Sequence, residues 1–413
     1  MNKTRYFVIQ LNAVMLLLGY WFFHAIVTLV IGESSRVMSI VFDGIQLIMS
    51  LYVIAVCHRD FVIEEKGTGL VFFSILLVLY SLRMFIDMIG GPFVGKLPTE
   101  VFLNDILLTV VGTFIPVWSF IISRKYIDVD TVVKFIFWVG LIIILAVRLN
   151  AQNIGNIDVY EEERMSGGQG LGSLVLVKVG AFVVMAAIHL LLNPLSKRKY
   201  LKIFYVLGLM MGVWIALASG ARGGVVGLVI AVGTYFVFSS RHTVFLIVIA
   251  VIAVILVIVN IVPILTWLSD FFPVFGRRML ATVIENDQSD RQELRRQAIE
   301  ITLNHPFFGY SYRMLPTPTG FRTHNGILEV SIALGIPVTI LFIYFVYIKG
   351  VFLSLKNMIN KSLIFPTTAA IFALSSSMSS SSISNGAFDF SVCFLFIACY
   401  YYLKQSTALR NVQ

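Results

Sequence analysis

Two short segments carry residue types that can do chemistry together. The first is Gly220-Ala221-Arg222-Gly223-Gly224. Arginine presents a planar fork of N–H donors that suits phosphate or carboxylate oxygens, often two at a time. The neighbouring glycines leave backbone N–H groups accessible, which also favours an anion. They have a second explanation, because Gly220/Gly224 and Gly223/Gly227 are small-xxx-small pairs that let helices approach closely. That explanation leaves Arg222 unaccounted for: a charge next to hydrocarbon costs at least ~2.5 kcal/mol and marks a functional position by default. The second segment is Arg322-Thr323-His324-Asn325-Gly326-Ile327-Leu328-Glu329. Histidine is the side chain whose ordinary pKa, about 6.5, lets it accept a proton near neutral pH. A satisfied interfacial histidine is the alternative. Between the two, Ser289-Asp290 with Glu293 reads as a helix start and Pro306 as its stop. Arg291, Arg295, Ala298 and Thr302 then share one face, which is either an anion cradle or a solvated helix surface.

The elements that must position these residues are membrane helices. The chain has 413 residues, 58% hydrophobic and only 13% charged, against roughly 25% charged in soluble domains. Crossing a hydrocarbon core ~30 Å thick takes about 20 apolar residues, and the sequence supplies such runs repeatedly. Helices are expected at 6–31, 37–57, 69–89, 101–123, 132–147, 173–193, 201–219, 223–238, 243–263, 326–348, 364–383 and 387–403. The expected fold is therefore all-α and polytopic, with about twelve transmembrane helices in a single membrane domain, 1–413. A long extracytoplasmic loop, 264–324, joins helices nine and ten. The first apolar run is too long for the core of a cleavable signal peptide.

Lysine and arginine fix the expected orientation. Segments such as Arg124-Lys125 and Lys197-Arg198-Lys199 fall on one side, and the short loops of the other side hold only Arg36, Lys96, Arg148, Arg164 and Arg222. Cytoplasmic loops collect these residues, so both termini are expected inside. The loop 264–324 breaks the bias with Arg277, Arg278, Arg291, Arg295, Arg296, Arg313 and Arg322. Long loops translocate largely regardless of charge, and one this long is usually functional or disordered. Aromatic residues within it, among them Trp267, Phe271, Phe272, Phe275, Phe307 and Phe308, argue against disorder. The net charge of +9 is thus divided between loop orientation and an anionic ligand, and no nucleic-acid partner is expected. Cys57, Cys393 and Cys399 lie in apolar runs without metal-like spacing. With no Walker loop, dinucleotide fingerprint or His/Cys/Asp cluster, neither cofactor nor metal is expected. Arg83 and Asp87, four apart, can pair. Asp43, Asp105 and Lys178 are intramembrane charges without an assigned role.

In this order and spacing the segments resemble the O-antigen ligase and O-antigen polymerase superfamily of bacterial surface-polysaccharide enzymes. Members typically show a Ser/Gly-Arg-Gly junction, an arginine-bearing outer helix and a Pro-hydrophobic-Gly turn, here Pro306-Phe307-Phe308-Gly309. They then show His-Asn-x-x-Leu-Glu before a late helix containing a glycine, here Gly335. The resemblance covers roughly residues 200–345. A second glycine often follows the family's turn; this chain has Tyr310-Ser311-Tyr312 instead.

The resemblance implies a metal-independent glycosyltransferase in the bacterial inner membrane, with its site facing the periplasm. The donor is a glycan on undecaprenyl diphosphate; an acceptor hydroxyl attacks the anomeric carbon and diphosphate leaves. Arg222 and Arg291, with Arg295 in support, bind the diphosphate. His324 takes the acceptor's proton, and Asn325, Glu329, Gly223 and Gly224 support the site. Implied partners are the lipid-linked oligosaccharide, an acceptor glycan or lipid A core, membrane lipid and a chain-length regulator. Polymerisation of repeat units is the first reading and ligation to lipid A core the alternative. A peptidoglycan-type polymerase would be expected to use an essential acidic residue instead. A transporter of lipid-linked glycan would be expected to show repeat symmetry and helices broken at the midplane.

Overall fold

Apolar runs of this length can satisfy their backbone in lipid only as helices or closed barrels. In a computed structural model, which describes residues 3–32, 36–64, 68–95, 98–153, 172–192, 199–240, 243–284, 290–313, 325–358 and 360–378, the chain is helical throughout its regular parts. Helix α1 (Lys3–Val14) runs through a π-helical turn into α2 (Tyr20–Ile31), followed by α3 (Arg36–Glu64) and α4 (Thr68–Gly90). Helix α5 (Thr99–Ile106) continues through a second π-helical stretch into α6 (Ile115–Ser123). Then come α7 (Val129–Asn153), α8 (Ser173–Leu192), α9 (Lys199–Ala218), α10 (Arg222–Phe238) and α11 (Thr243–Val259). Three shorter helices follow, α12 (Ile261–Phe271), α13 (Pro273–Ile284) and α14 (Asp290–Asn304). Helices α15 (Gly326–Leu334), α16 (Ile336–Phe342), α17 (Lys349–Asn357) and α18 (Ile364–Ser377) complete the described fold. Among the described residues, seven helical runs are long and apolar enough to cross a membrane, or eight if the bent pair α11–α12 is one span. The chain is a multi-pass membrane protein. The expected helix 387–403 lies outside the described residues.

Helix α8 is the centre of the bundle. All its residues from Leu176 to Leu190 are buried, as expected for a helix that is apolar on every side. Its contact with α9 is made by two glycines: a Cβ on Gly180 would lie 2.6 Å from the Gly212 carbonyl, and one on Gly212 would lie 2.8 Å from the Gly180 carbonyl. Gly224 gives α10 the same close approach to Val177 of α8, and Gly227 sets α10 against Phe372 and Ser375 of α18. Helix α11 lies at the other extreme, with exposed residues along nearly its whole length, so its Val/Ile/Leu surface faces lipid.

Two breaks depart from the expected bounds. The ninth expected helix, 243–263, ends at Val259, and α12 leaves at 78° to α11. Asn260 unwinds the junction (φ −105°, ψ 24°). Pro263 sits in the first turn of α12, where its missing N–H has no intrahelical partner to lose. The tenth, 326–348, is interrupted at Gly335, whose φ of +85° ends α15 before α16 begins. The segment expected as a long loop holds three helices.

Candidate active site

The first turn of α10 presents Arg222. The chain leaves α9 through Ser219, buried, whose hydroxyl donates to the Ala216 carbonyl (2.7 Å) and accepts from the Ala221 N–H (3.3 Å). Gly220 then takes φ +66°, a value that costs a glycine little. The turn leaves Arg222 half-buried, with its Nη1 donating to the carbonyl of Arg278 on α13 at 2.8 Å. Arg278 returns a longer bond from its Nη1 to the Gly220 carbonyl, 3.4 Å. Among the described residues no carboxylate pairs with Arg222.

Asn325 caps α15, accepting from the N–H groups of Ile327 (3.0 Å) and Leu328 (3.1 Å) and donating to the Met378 carbonyl (3.0 Å). This is the cap position at which Asn is strongly favoured. Gly326 packs on Ser377. Because Gly227, early in α10, meets Ser375, late in α18, the starts of α10 and α15 and the end of α18 share one end of the bundle. Arg222 and Asn325 are thereby brought to the same face. Gly223 is half-buried beside Arg222, whereas Gly224 is a packing position. Glu329 is buried and accepts a hydrogen bond from the Tyr80 hydroxyl of α4 at 2.9 Å.

Helix α14 runs from Asp290 to Asn304, with Pro306 just beyond its end. Ala298 and Thr302 are buried, and Thr302 accepts from the Ser331 hydroxyl of α15 (3.2 Å). Arg295, on the same face one turn earlier, is exposed, and no contact among the described side chains joins it to Arg222. Arg296 pairs with Glu293 at 3.1 Å on the surface. Hydrogen bonds from Gln297 and Arg296 hold the Glu293 carboxyl below its usual range. The side chain of Arg291 and all of His324 lie outside the described residues.

A second polar cluster ties the segment after α14 to α4 and α5. The Pro306–Gly309 turn fits against the Gly335 break. The Ile336 N–H donates to the Pro306 carbonyl (2.7 Å) and the Tyr310 N–H to the Ile332 carbonyl (2.5 Å). Gly309 has φ +71°; a Cβ there would strike the Ile332 and Ala333 backbone, and one on Gly335 would strike the Phe307 carbonyl. Beyond the turn, Asp87 accepts from the Tyr312 N–H (2.8 Å) and pairs with Arg83 (2.9 Å), the pairing expected from their spacing. Asp105 receives the Tyr312 hydroxyl (3.0 Å) and pairs with Arg313 (2.6 Å). Burial and the Asp105 charge hold the Tyr312 phenol well above the usual tyrosine range, so it stays a donor. Asp105, left without a role by the sequence, is therefore an anchor for the 309–313 segment.

Fold and geometry define a class: a multi-pass helical membrane protein with arginine-bearing elements gathered at one end of its bundle. Residues 207–343, which include Arg222 and all of α10 to α16, match the model of the protein family described as O-antigen ligase. Over this segment, about a third of the chain, the sequence is similar to that family. That family implies a membrane glycan ligase or polymerase activity. No curated protein and no solved structure matches the chain.

Proposed function

We propose that this protein transfers a glycan from undecaprenyl diphosphate to a hydroxyl acceptor, polymerising repeat units of O-antigen or a related surface polysaccharide. The observation that carries the reading is Arg222. Its guanidinium is oriented by a main-chain carbonyl, pairs with no carboxylate among the described residues, and lies within the segment that matches the O-antigen ligase family. Diphosphate is already a good leaving group, so the protein chiefly has to stabilise the charge that develops on it. Charge-assisted bonds from arginine forks suit that task. Arg222 and Arg291 are the proposed diphosphate ligands, with Arg295 in support. His324 takes the proton as the acceptor oxygen bonds to the anomeric carbon and the carbon–diphosphate bond breaks. Asn325 contributes by fixing the start of α15 immediately after it.

The reading carries a topology. About twelve helices cross the inner membrane, both termini are cytoplasmic, and the segment 264–324 faces the periplasm with the site. The transfer is metal-independent, and the partners are the lipid-linked oligosaccharide, the acceptor glycan, membrane lipid and a chain-length regulator. A second reading, ligation of finished chains to lipid A core, is favoured by the description of the matching family. The surface glycan of a deletion strain tests both. Single-repeat caps on lipid A core support the polymerase. Long chains stranded on the polyprenyl carrier support the ligase. An unchanged glycan contradicts both.

A further inference from the structure

The Arg222 side chain is docked on the main chain of a residue 56 positions later. The docking is reciprocal. Arg222 Nη1 donates to the Arg278 carbonyl at 2.8 Å, and Arg278 Nη1 donates to the Gly220 carbonyl, two residues before Arg222, at 3.4 Å. Each arginine side chain thus holds the backbone segment from which the other projects. A carbonyl acceptor orients a guanidinium without cancelling its charge, whereas a carboxylate would do both. It also occupies one of five donors, leaving most of the fork for an anion. The Gly220 carbonyl lies just past the C-terminal end of α9, where the partial negative charge of the helix attracts a cation within about one turn. That attraction adds to the long Arg278 bond.

We propose that Arg278 is a positioning residue for the transfer. Its side chain latches α13 onto the α9–α10 turn, and the latched α13 supplies the carbonyl that aims Arg222 at the diphosphate. The inference rests on the proposed role of Arg222 as a diphosphate ligand. It makes α13 part of the site through its backbone, a contribution that no residue type in the sequence encodes.

A double-mutant cycle read by ligand binding tests this. Undecaprenyl diphosphate is titrated into the purified full-length chain, with undecaprenyl monophosphate as the control, for wild type, Arg222→Ala, Arg278→Ala and the double variant. Arg278→Ala weakens diphosphate binding by about three- to tenfold, the scale of one ordinary intramolecular hydrogen bond. Arg278→Lys, which can still donate to the Gly220 carbonyl, recovers part of the loss. In the Arg222→Ala background the Arg278 substitution has no further effect, because it acts through Arg222. Arg278→Met keeps the stem and removes the donors, and replaces the Ala variant if that one does not fold. Wild-type binding by Arg278→Ala overturns the inference, as does an equal fold-loss with and without Arg222; either result leaves the diphosphate reading standing. A wild-type protein that does not distinguish diphosphate from monophosphate removes that reading, and the inference with it.

Discussion

At the scale of residues, charge that is oriented differs from charge that is neutralised. Arg83, Arg296 and Arg313 each have a carboxylate at 3.1 Å or less. Arg222 has a carbonyl. A fork that retains its charge is suited to a diphosphate. The proposed base, His324, directly precedes the cap Asn325. His305 is its internal control: exposed, its ring tilted against the Tyr310 ring at a centroid distance of 5.0 Å, its carbonyl accepting from the Gly309 N–H. His324→Ala is expected to lose ~10²–10⁴-fold in turnover while undecaprenyl diphosphate binding persists. His305→Ala is expected to keep much more of its activity. Equal losses in the two variants, or a fully active His324→Ala, would assign the base elsewhere.

At the scale of elements, the Pro306–Gly309 turn and the Gly335 break form one joint, since each glycine stands where the other segment's backbone would meet a Cβ. Gly309→Ala or Gly335→Ala should cost about 1–3 kcal/mol in backbone strain alone, and more from the clash. Gly32→Ala, at φ +87° with nothing within 4 Å, meets only the strain. Thermal unfolding of the purified variants should therefore show a larger fall in Tm for the first two; equal falls would mean that the joint is not packed this way. Helix bounds were largely legible, because bilayer thickness sets the length of an apolar run: 173–193 was expected and Ser173–Leu192 forms, 223–238 was expected and Arg222–Phe238 forms. Helices α12 and α13 were not legible. Pro263 and Pro273 look like breakers, yet each sits in a first turn, where proline is tolerated. The Gly335 break was hidden for a different reason: the backbone it packs against is 28 residues upstream, at Phe307. Nor do residue types reveal the Arg222–Arg278 exchange, since every residue offers the same main-chain acceptor.

At the scale of the whole molecule, the account needs the α13–α14 side of the bundle to face the periplasm. The lysine and arginine bias makes that expectation. Alkaline phosphatase fused near Asp287 should be active and fused near Lys199 inactive; the reverse pattern would put the site on the wrong side of its donor. A bundle organised in this way could also move a lipid-linked glycan instead of cleaving it from its carrier. The central claim is that it cleaves it. The most direct measurement supplies the purified protein with a glycan on undecaprenyl diphosphate and a hydroxyl acceptor, and follows free undecaprenyl diphosphate together with the lengthened or transferred glycan. The account predicts that both appear in equal amounts with wild type. Neither should appear with Arg222→Ala or Arg291→Ala at normal protein levels, and Lys at either position should recover little, lacking the planar fork. Wild-type protein that binds the donor without releasing carrier diphosphate, or an Arg222→Ala variant with wild-type turnover, would contradict it.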